Sequence, residues 1–171
     1  MADFKTSAER QAHWESIYAQ QDVQAMNWTQ DIAQPSLDLI EQAELSPDDR
    51  ILDVGAGASV LIRNLLDQGF RNLLATDISA KALDQNKAQL GDQADLVQWI
   101  VDDVTNPQQL HELEHVSLWH DRGVFHYLTN FRERLNYFSL MNRLVKEEGY
   151  VILSAYNHDA TSSEAGLDVR Q

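Results

Sequence analysis

The sequence predicts an α/β fold: a doubly wound, mainly parallel sheet with helices on both faces. Three observations predict it. Short apolar runs alternate with helix-patterned segments from Ile51 onward. Those runs are apolar on both faces, as strands covered from both sides must be. The first run, inside RILDVGAGASVLI (50–62), ends in an acid and two glycines at alternate positions, Gly55 and Gly57. That is the shape of a buried strand that stops, turns tightly past a ligand and enters a helix.

The elements follow in order. Ser7 is placed to cap a helix through AERQAHWESIYAQQ, with Trp14, Ile17 and Tyr18 on one face. Asp22–Asp31, which contains Met26 and Trp28, reads as a loop. Pro35 suits the first turn of PSLDLIEQAEL, with Leu37, Ile40 and Leu45 inward. Residues 1–46 thus form a helical cap across the mouth of the sheet. In the core, residues 50–156, Ile51–Val54 is a strand and a helix follows at about Ser59–Gln68, ended by Gly69. Leu73–Thr76 is a strand, and Ser79 caps ALDQNKAQLG, which Gly91 ends. Leu96–Val101 is a third strand. A short helix near Pro107–Glu112 leads to a fourth, Val116–His120. Asn130 caps a long helix with Phe131, Leu135, Phe138 and Leu144 on one stripe, and Tyr150–Tyr156 is a fifth strand. The tail, 157–171, is polar and reads as loop or disorder.

Composition narrows the function. A length of 171 residues fits one domain with its own core. With no cysteine, the chain has no disulfide, thiolate metal site or cysteine nucleophile. Its six histidines form no ligand pair with zinc spacing, so no metal is expected. The net charge of −14, with no offsetting basic cluster, repels phosphate backbones and excludes nucleic acid as a default partner. No apolar run reaches the ~20 residues of a membrane span, and the N-terminus has no signal-peptide core, so a cytosolic protein is expected.

Ligands of such sheets sit at the carboxyl ends of the strands, where strand order reverses. Those ends read Asp53-Val54-Gly55-Ala56-Gly57, Asp77-Ile78, Asp102-Asp103-Val104 and Trp119-His120-Asp121. Acids at every strand end suit hydroxyls, amines and cations better than phosphate. A dinucleotide fingerprint would need Gly or Ala where Val60 stands. The residues suit instead a phosphate-free nucleoside carrying an amino-acid tail. Asp77 can accept two ribose hydroxyls. Ile78 flanks the base, and Asp102 or Asp103 takes an exocyclic amine beside the Val104 N–H. Asp53 orients an ammonium group, directly or through water.

ILDVGAGAS, ATDIS, VDDV and SLWHD stand in the order and spacing of class I S-adenosylmethionine-dependent methyltransferases, which residues 50–156 resemble. HWESIY (13–18), DVGAGAS and HDRGVFHYLT (120–129) are similar to a small bacterial branch, like thiopurine-type and some protein-lysine methyltransferases. The resemblance implies a Rossmann-like domain and S-adenosylmethionine as cofactor, with S-adenosylhomocysteine as product. It implies a cofactor site of Asp53, Gly55, Ala56, Gly57, Ser59, Asp77, Ile78, Asp102, Asp103, Val104 and His120, under an aromatic lid of Trp14, Tyr18 and Trp28. Ser59 stands where the family usually has a third glycine. The acceptor is a small molecule or a protein side chain. His120 and Asp121 fall where methyl group and acceptor meet, but read better as a backbone contact and a turn anchor than as catalysts. His126 and Tyr127 read as packing on a short helix.

The family sheet usually has two further strands, six and seven. The fifteen residues after Tyr156 are too few for the helix and hairpin, so either the sequence is truncated or the sheet is reduced, and either leaves an exposed edge that fits a monomer or an edge-paired dimer. Two other functions remain open, an NAD(P)-type oxidoreductase and a non-catalytic methyltransferase-like binding protein. A Tyr-x-x-x-Lys pair that would favour the oxidoreductase is missing.

Overall fold

Burial of both faces of short apolar strands sets the architecture. The computed structural model describes Phe4, residues 6–20, Asp22, residues 25–156 and residues 163–169. In chain order the elements are α1 (Ser7–Gln20), α2 (Gln34–Gln42), β1 (Ile51–Val54), α3 (Leu61–Asp67), β2 (Leu73–Asp77), α4 (Ala80–Leu90), β3 (Val97–Val101), β4 (Val116–Arg122), α5 (Phe131–Leu144), β5 (Val145–Ser154), β6 (Ser163–Glu164) and β7 (Leu167–Asp168). The main sheet has the order β3-β2-β1-β4-β5, and its strands pair in parallel throughout. The chain leaves β1 towards β2 and β3, then returns past β1 to β4, so strand order reverses between β1 and β4. A crevice opens there, above the carboxyl ends of the strands.

Alternation along the strands divides the core in two. Ile51, Leu73, Val97 and Leu118 face α2, α3 and α4 through Leu37, Ile40, Leu61, Ile62, Leu65 and Leu83. Leu52, Leu74, Ile100 and Trp119 face the other way, onto Tyr137, Leu140 and Leu144 of α5. Each fully buried side chain of this size contributes roughly 1.5–3 kcal/mol. The sheet therefore holds its strand ends firmly in place. Ser79 caps α4 by accepting from the Ala82 N–H at 3.2 Å, and Asn130 caps α5 by accepting from Arg132. Helix α1 lies apart from both clusters, with Tyr18, Met26, Ala58 and Ala82 in a small core of its own.

Several expectations need correction. The cap of α1 is Thr6, because its hydroxyl accepts from the Glu9 N–H while the Glu9 carboxylate accepts from the Thr6 N–H, a reciprocal capping box. On α5, Phe131, Leu135 and Phe138 are exposed, and Tyr137 takes the core position instead. Tyr137 can be buried because its hydroxyl donates to Asp121 at 2.6 Å and accepts from the Trp119 indole at 3.0 Å. Strand β4 runs on to Arg122, so His120 and Asp121 lie within the strand. Between Pro107 and Glu112 only Leu110–Glu112 is helical, as one 3₁₀ turn. The tail is not loop throughout, since β6 and β7 pair antiparallel in a sheet of their own. Gln21, Val23, Gln24, residues 157–162 and the last two residues lie outside the described residues, with the loop and tail expectations placed on them. Strand β5 forms one edge of the main sheet, and Tyr150, Val151 and Leu153 on it are exposed. No described helix is long and apolar enough to cross a membrane.

Tyr137→Phe removes a hydroxyl that satisfies two buried groups at once. We expect a loss of about 1–3 kcal/mol in unfolding free energy. In urea the midpoint should fall with an unchanged m-value; an unchanged midpoint would show that the bond to Asp121 contributes nothing.

Candidate functional site

The glycine turn after β1 is shaped by two positive-φ residues, Gly55 at +65° and Gly57 at +50°. A Cβ on Gly55 would lie 2.0 Å from the Val124 side chain, and one on Gly57 would lie 2.6 Å from the Tyr18 hydroxyl. Both positions therefore exclude side chains on sterics as well as on backbone conformation. The turn is pinned from two sides. Asp77 accepts the Gly57 N–H at 2.9 Å, and Asn86 of α4 donates to the Gly57 carbonyl at 3.1 Å. Ser59 accepts from the Leu61 N–H, and Ala56 donates to the Thr76 carbonyl, so both brace the turn.

Asp77 also accepts the Ser79 N–H at 2.8 Å. Each of its oxygens then keeps acceptor capacity for a further donor. Burial pushes its pKa up to about 6, against the pull of those two N–H groups and with help from the charges of Asp53 and Glu15.

The acids of the other strands are spent differently. Asp102 accepts the N–H groups of Asp103, Gln108, Gln109 and Leu110, which leaves it no room for a ligand. Asp103 accepts from Thr105 with one oxygen and pairs with Arg10 at 2.7 Å with the other. Asp121 holds the following turn through the N–H groups of Val124 and Phe125. Burial pushes its pKa up to about 6 as well, opposed by those bonds and Tyr137. His120 donates its Nδ1–H to Asp53 Oδ1 at 2.7 Å, and its Nε2 shares a hydrogen bond with the Ser36 hydroxyl at 2.8 Å. One carboxylate oxygen of Asp53 stays buried without a partner.

Helix α1 closes the mouth. Glu15 accepts the Ala80 N–H at the start of α4, and Gln11 donates to the Ile78 carbonyl. Arg10 ties the helix to Asp103, Thr105 and Glu133. Trp14 meets Tyr127 edge-on at 5.0 Å and Trp28 at 6.5 Å. Beneath this lid lies a cavity of about 230 Å³. Trp14, Tyr18, Trp28, Gly55, Asp77, Ile78, Asp102, Asp103 and Val104 line it. Asp53, Ala56, Gly57, Ser59, His120 and Asp121 do not; they stand behind its wall. The strand buries His120 and Asp121 among structural partners.

Sequence reasoning missed the other end of the cavity. Arg122, Tyr156 and Glu164 line it, and so does His126, read above as packing. Glu164 on β6 accepts from Tyr156 at 2.5 Å, Asn27 at 3.0 Å and Tyr127 at 3.0 Å. Burial and the Glu164 charge hold the Tyr127 hydroxyl well above its ordinary range. No periodicity marks Glu164, and Arg10 is one polar residue among many on α1.

A family model described as a methyltransferase domain matches residues 52–151. No curated protein matches the chain. Among solved structures, it resembles phosphoethanolamine N-methyltransferase 1 of Haemonchus contortus, in complex with phosphoethanolamine and S-adenosylhomocysteine, at 18% identity and TM-score 0.65, covering 85% of this chain and 31% of that one. It resembles an S-adenosylmethionine-dependent methyltransferase of Clostridium acetobutylicum at 20% identity and TM-score 0.59, covering 85% and 56%. A TehB-like enzyme of Corynebacterium glutamicum aligns at 18% identity and TM-score 0.57, covering 85% and 71%. The chain thus spans from about a third to about seven tenths of these proteins' lengths.

The raised pKa of Asp77 makes a stability prediction. Between its ordinary value of 3.8 and about 6, the folded chain holds a proton that the unfolded chain has lost. The stability this group contributes is complete below 3.8 and is lost as pH rises through about 6. Asp77→Asn does not titrate. Its melting temperature relative to the parent should therefore rise between acid and neutral pH, whatever the constant offset. A difference independent of pH would contradict the assigned burial.

Proposed function

The chain belongs to the methyltransferase-domain family, and from that premise we propose that it transfers a methyl group from S-adenosylmethionine to an acceptor. The observation that carries this is Asp77: a buried carboxylate beside the glycine turn, lining the cavity, with acceptor capacity left on both oxygens. That is chemistry for a ribose diol.

The remaining residues fit the cofactor's other parts. Ile78 and Val104 flank the adenine. Asp103, with acceptor room left where Asp102 has none, takes its amino group. The unpartnered oxygen of Asp53, set behind the cavity wall, suits an ammonium reached through water. Arg10, the guanidinium nearest Asp103, is already committed to carboxylates and leaves no charge there for a phosphate. This disfavours a dinucleotide, as does Val60 at the start of α3.

When bound, the cofactor supplies an electrophilic methyl group on a sulfonium that departs as a neutral thioether. The chain's own part is alignment and exclusion of water by α1 and its aromatic side chains. Faces of Trp14 and Trp28 also favour a positive centre beneath them. No proton carrier among His120 and Asp121 is needed for this. The acceptor is a small molecule or a side chain presented at the mouth. The charge of −14 argues against nucleic acid, and we place the protein in the cytosol.

Calorimetry with S-adenosylmethionine, S-adenosylhomocysteine and NAD tests the reading. We expect both methionine nucleosides to bind and NAD not to; binding of NAD alone would overturn it. Asp77→Ala should weaken binding of both nucleosides by roughly 1–3 kcal/mol while the fold survives. Unchanged affinity would remove Asp77 from the ribose site. Tight cofactor binding without turnover of any acceptor in a labelled-methyl screen would favour a non-catalytic binding protein.

A further inference from the structure

The end of the cavity away from Asp77 is built around two groups that the cofactor does not use. Glu164 is 9% exposed and receives three neutral donors, Tyr156, Tyr127 and Asn27. Among the described residues the only basic group within 4.0 Å of its carboxylate is the His126 ring, whose Nε2 stands 3.8 Å from Glu164 Oε2; Arg122 lines the same end, with its guanidinium donating to the Trp28 carbonyl. His126 is 5% exposed, and neither of its ring nitrogens has a hydrogen-bond partner. A buried imidazole with two unmet nitrogens is costly unless something binds there. Tyr127 and Tyr156 hold the ring at centroid distances of 4.3 and 4.8 Å in the wall of the cavity it lines.

We propose that this end is the methyl-acceptor subsite and that it takes an amine: Glu164 receives an N–H of the amine, and His126 accepts the proton the nitrogen must lose. The proposal rests on the methyltransferase reading above. Three features select an amine. Glu164, the one carboxylate at this end among the described residues, keeps an acceptor position on Oε2, which takes a single bond from Tyr127. The walls are aromatic, with Trp14 against Tyr127, and favour a cation. An anionic acceptor such as a phenolate would meet Glu164 head on.

An amine arrives as ammonium and has no lone pair until it gives up a proton. Burial lowers the pKa of His126 below its ordinary 6.5, against the charge of Glu164, so the ring is neutral when the amine enters. The ammonium proton passes first to the neutral imidazole, leaving a lone pair on nitrogen. Nitrogen then forms a bond to the methyl carbon as the carbon–sulfur bond breaks with its electron pair left on sulfur, and the sulfonium's positive charge passes to the methylated nitrogen. The imidazolium then faces Glu164 as an ion pair, which offsets the cost of charging a buried ring. His126 is a catalytic residue in this account and Glu164 a binding one.

The test uses the full chain loaded with S-adenosylhomocysteine. Ethylamine, benzylamine and phenethylamine are titrated against ethanol, benzyl alcohol and 2-phenylethanol by calorimetry, with the His126 ring resonances followed by NMR and assigned through His126→Gln. We expect the amines to bind more tightly than their alcohols and to move the His126 resonances. Glu164→Gln should abolish that preference and weaken the amines about tenfold, with S-adenosylhomocysteine affinity unchanged. Tyr156→Phe, which keeps the carboxylate, should retain the preference. The proposal is overturned if no amine binds at millimolar concentration, if alcohols bind as well, or if the preference survives Glu164→Gln. Where Glu164→Gln does not fold, still His126 resonances in the parent chain overturn it. Failure of the parent chain to bind S-adenosylhomocysteine would instead overturn the methyltransferase reading.

Discussion

Everything at the mouth of this sheet depends on one constraint: a carboxylate buried at the end of a strand must be given hydrogen-bond donors. Asp77, Asp102 and Asp121 each take them from the backbone of the loop that follows their own strand. Each acid thereby fixes the course of its loop. Asp53 is the exception, because the glycine turn after it points its N–H groups elsewhere. It pairs sideways with His120 on the neighbouring strand and keeps one oxygen free. A rim made rigid in this way can hold a ligand without reorganising, which is what a reaction limited by alignment requires.

The lid is attached by different physics. Helix α1 contributes little to the two main cores. Its bonds to the rim are polar, from Arg10, Gln11 and Glu15, with Gln85 reaching up to the Tyr18 carbonyl. The helix is thus held apart from the two cores of the sheet, by these polar bonds and by its own small apolar cluster around Tyr18. Gly57 has a second role here. The close approach of the Tyr18 hydroxyl to its Cα means that the lid seats directly on the glycine turn.

Strands were legible in the sequence because burial on both faces leaves an unbroken apolar run, and β1 to β4 begin within a residue of their predicted starts. Caps were legible where one side chain acts alone, as at Ser79 and Asn130. The α5 stripe was not, because Tyr137 enters the core only with Asp121 and Trp119 as partners from β4. A periodicity argument scores Phe131 above tyrosine and cannot see those partners. The choice between Asp102 and Asp103 was equally hidden, since it turns on which carboxylate the loop saturates. Glu164 was out of reach altogether. Its role comes from contacts to Asn27, Tyr127 and Tyr156, spread over the length of the chain and marked by no local pattern.

The two ends of the cavity are best understood by following charge. Asp77 and Glu164 both line the cavity, together with Trp14, Tyr18 and Trp28, while the guanidinium groups of Arg10 and Arg122 there are already hydrogen-bonded. Such a site attracts a cation to its middle through both its carboxylates and its ring faces. The ammonium must first lose a proton to free its lone pair, and methyl transfer then moves the sulfonium charge onto the acceptor nitrogen. In a site that merely bound cations well, that first loss would be held back, because ground-state attraction given up on the way to the transition state slows the reaction. Passing the amine's proton to His126 changes this balance. The positive charge then stays inside the cavity and moves towards Glu164, which lies 3.8 Å from the ring that receives it. The same carboxylate that draws the acceptor in thus stabilises the state the reaction leaves behind. The neutral thioether is no longer held by the aromatic faces.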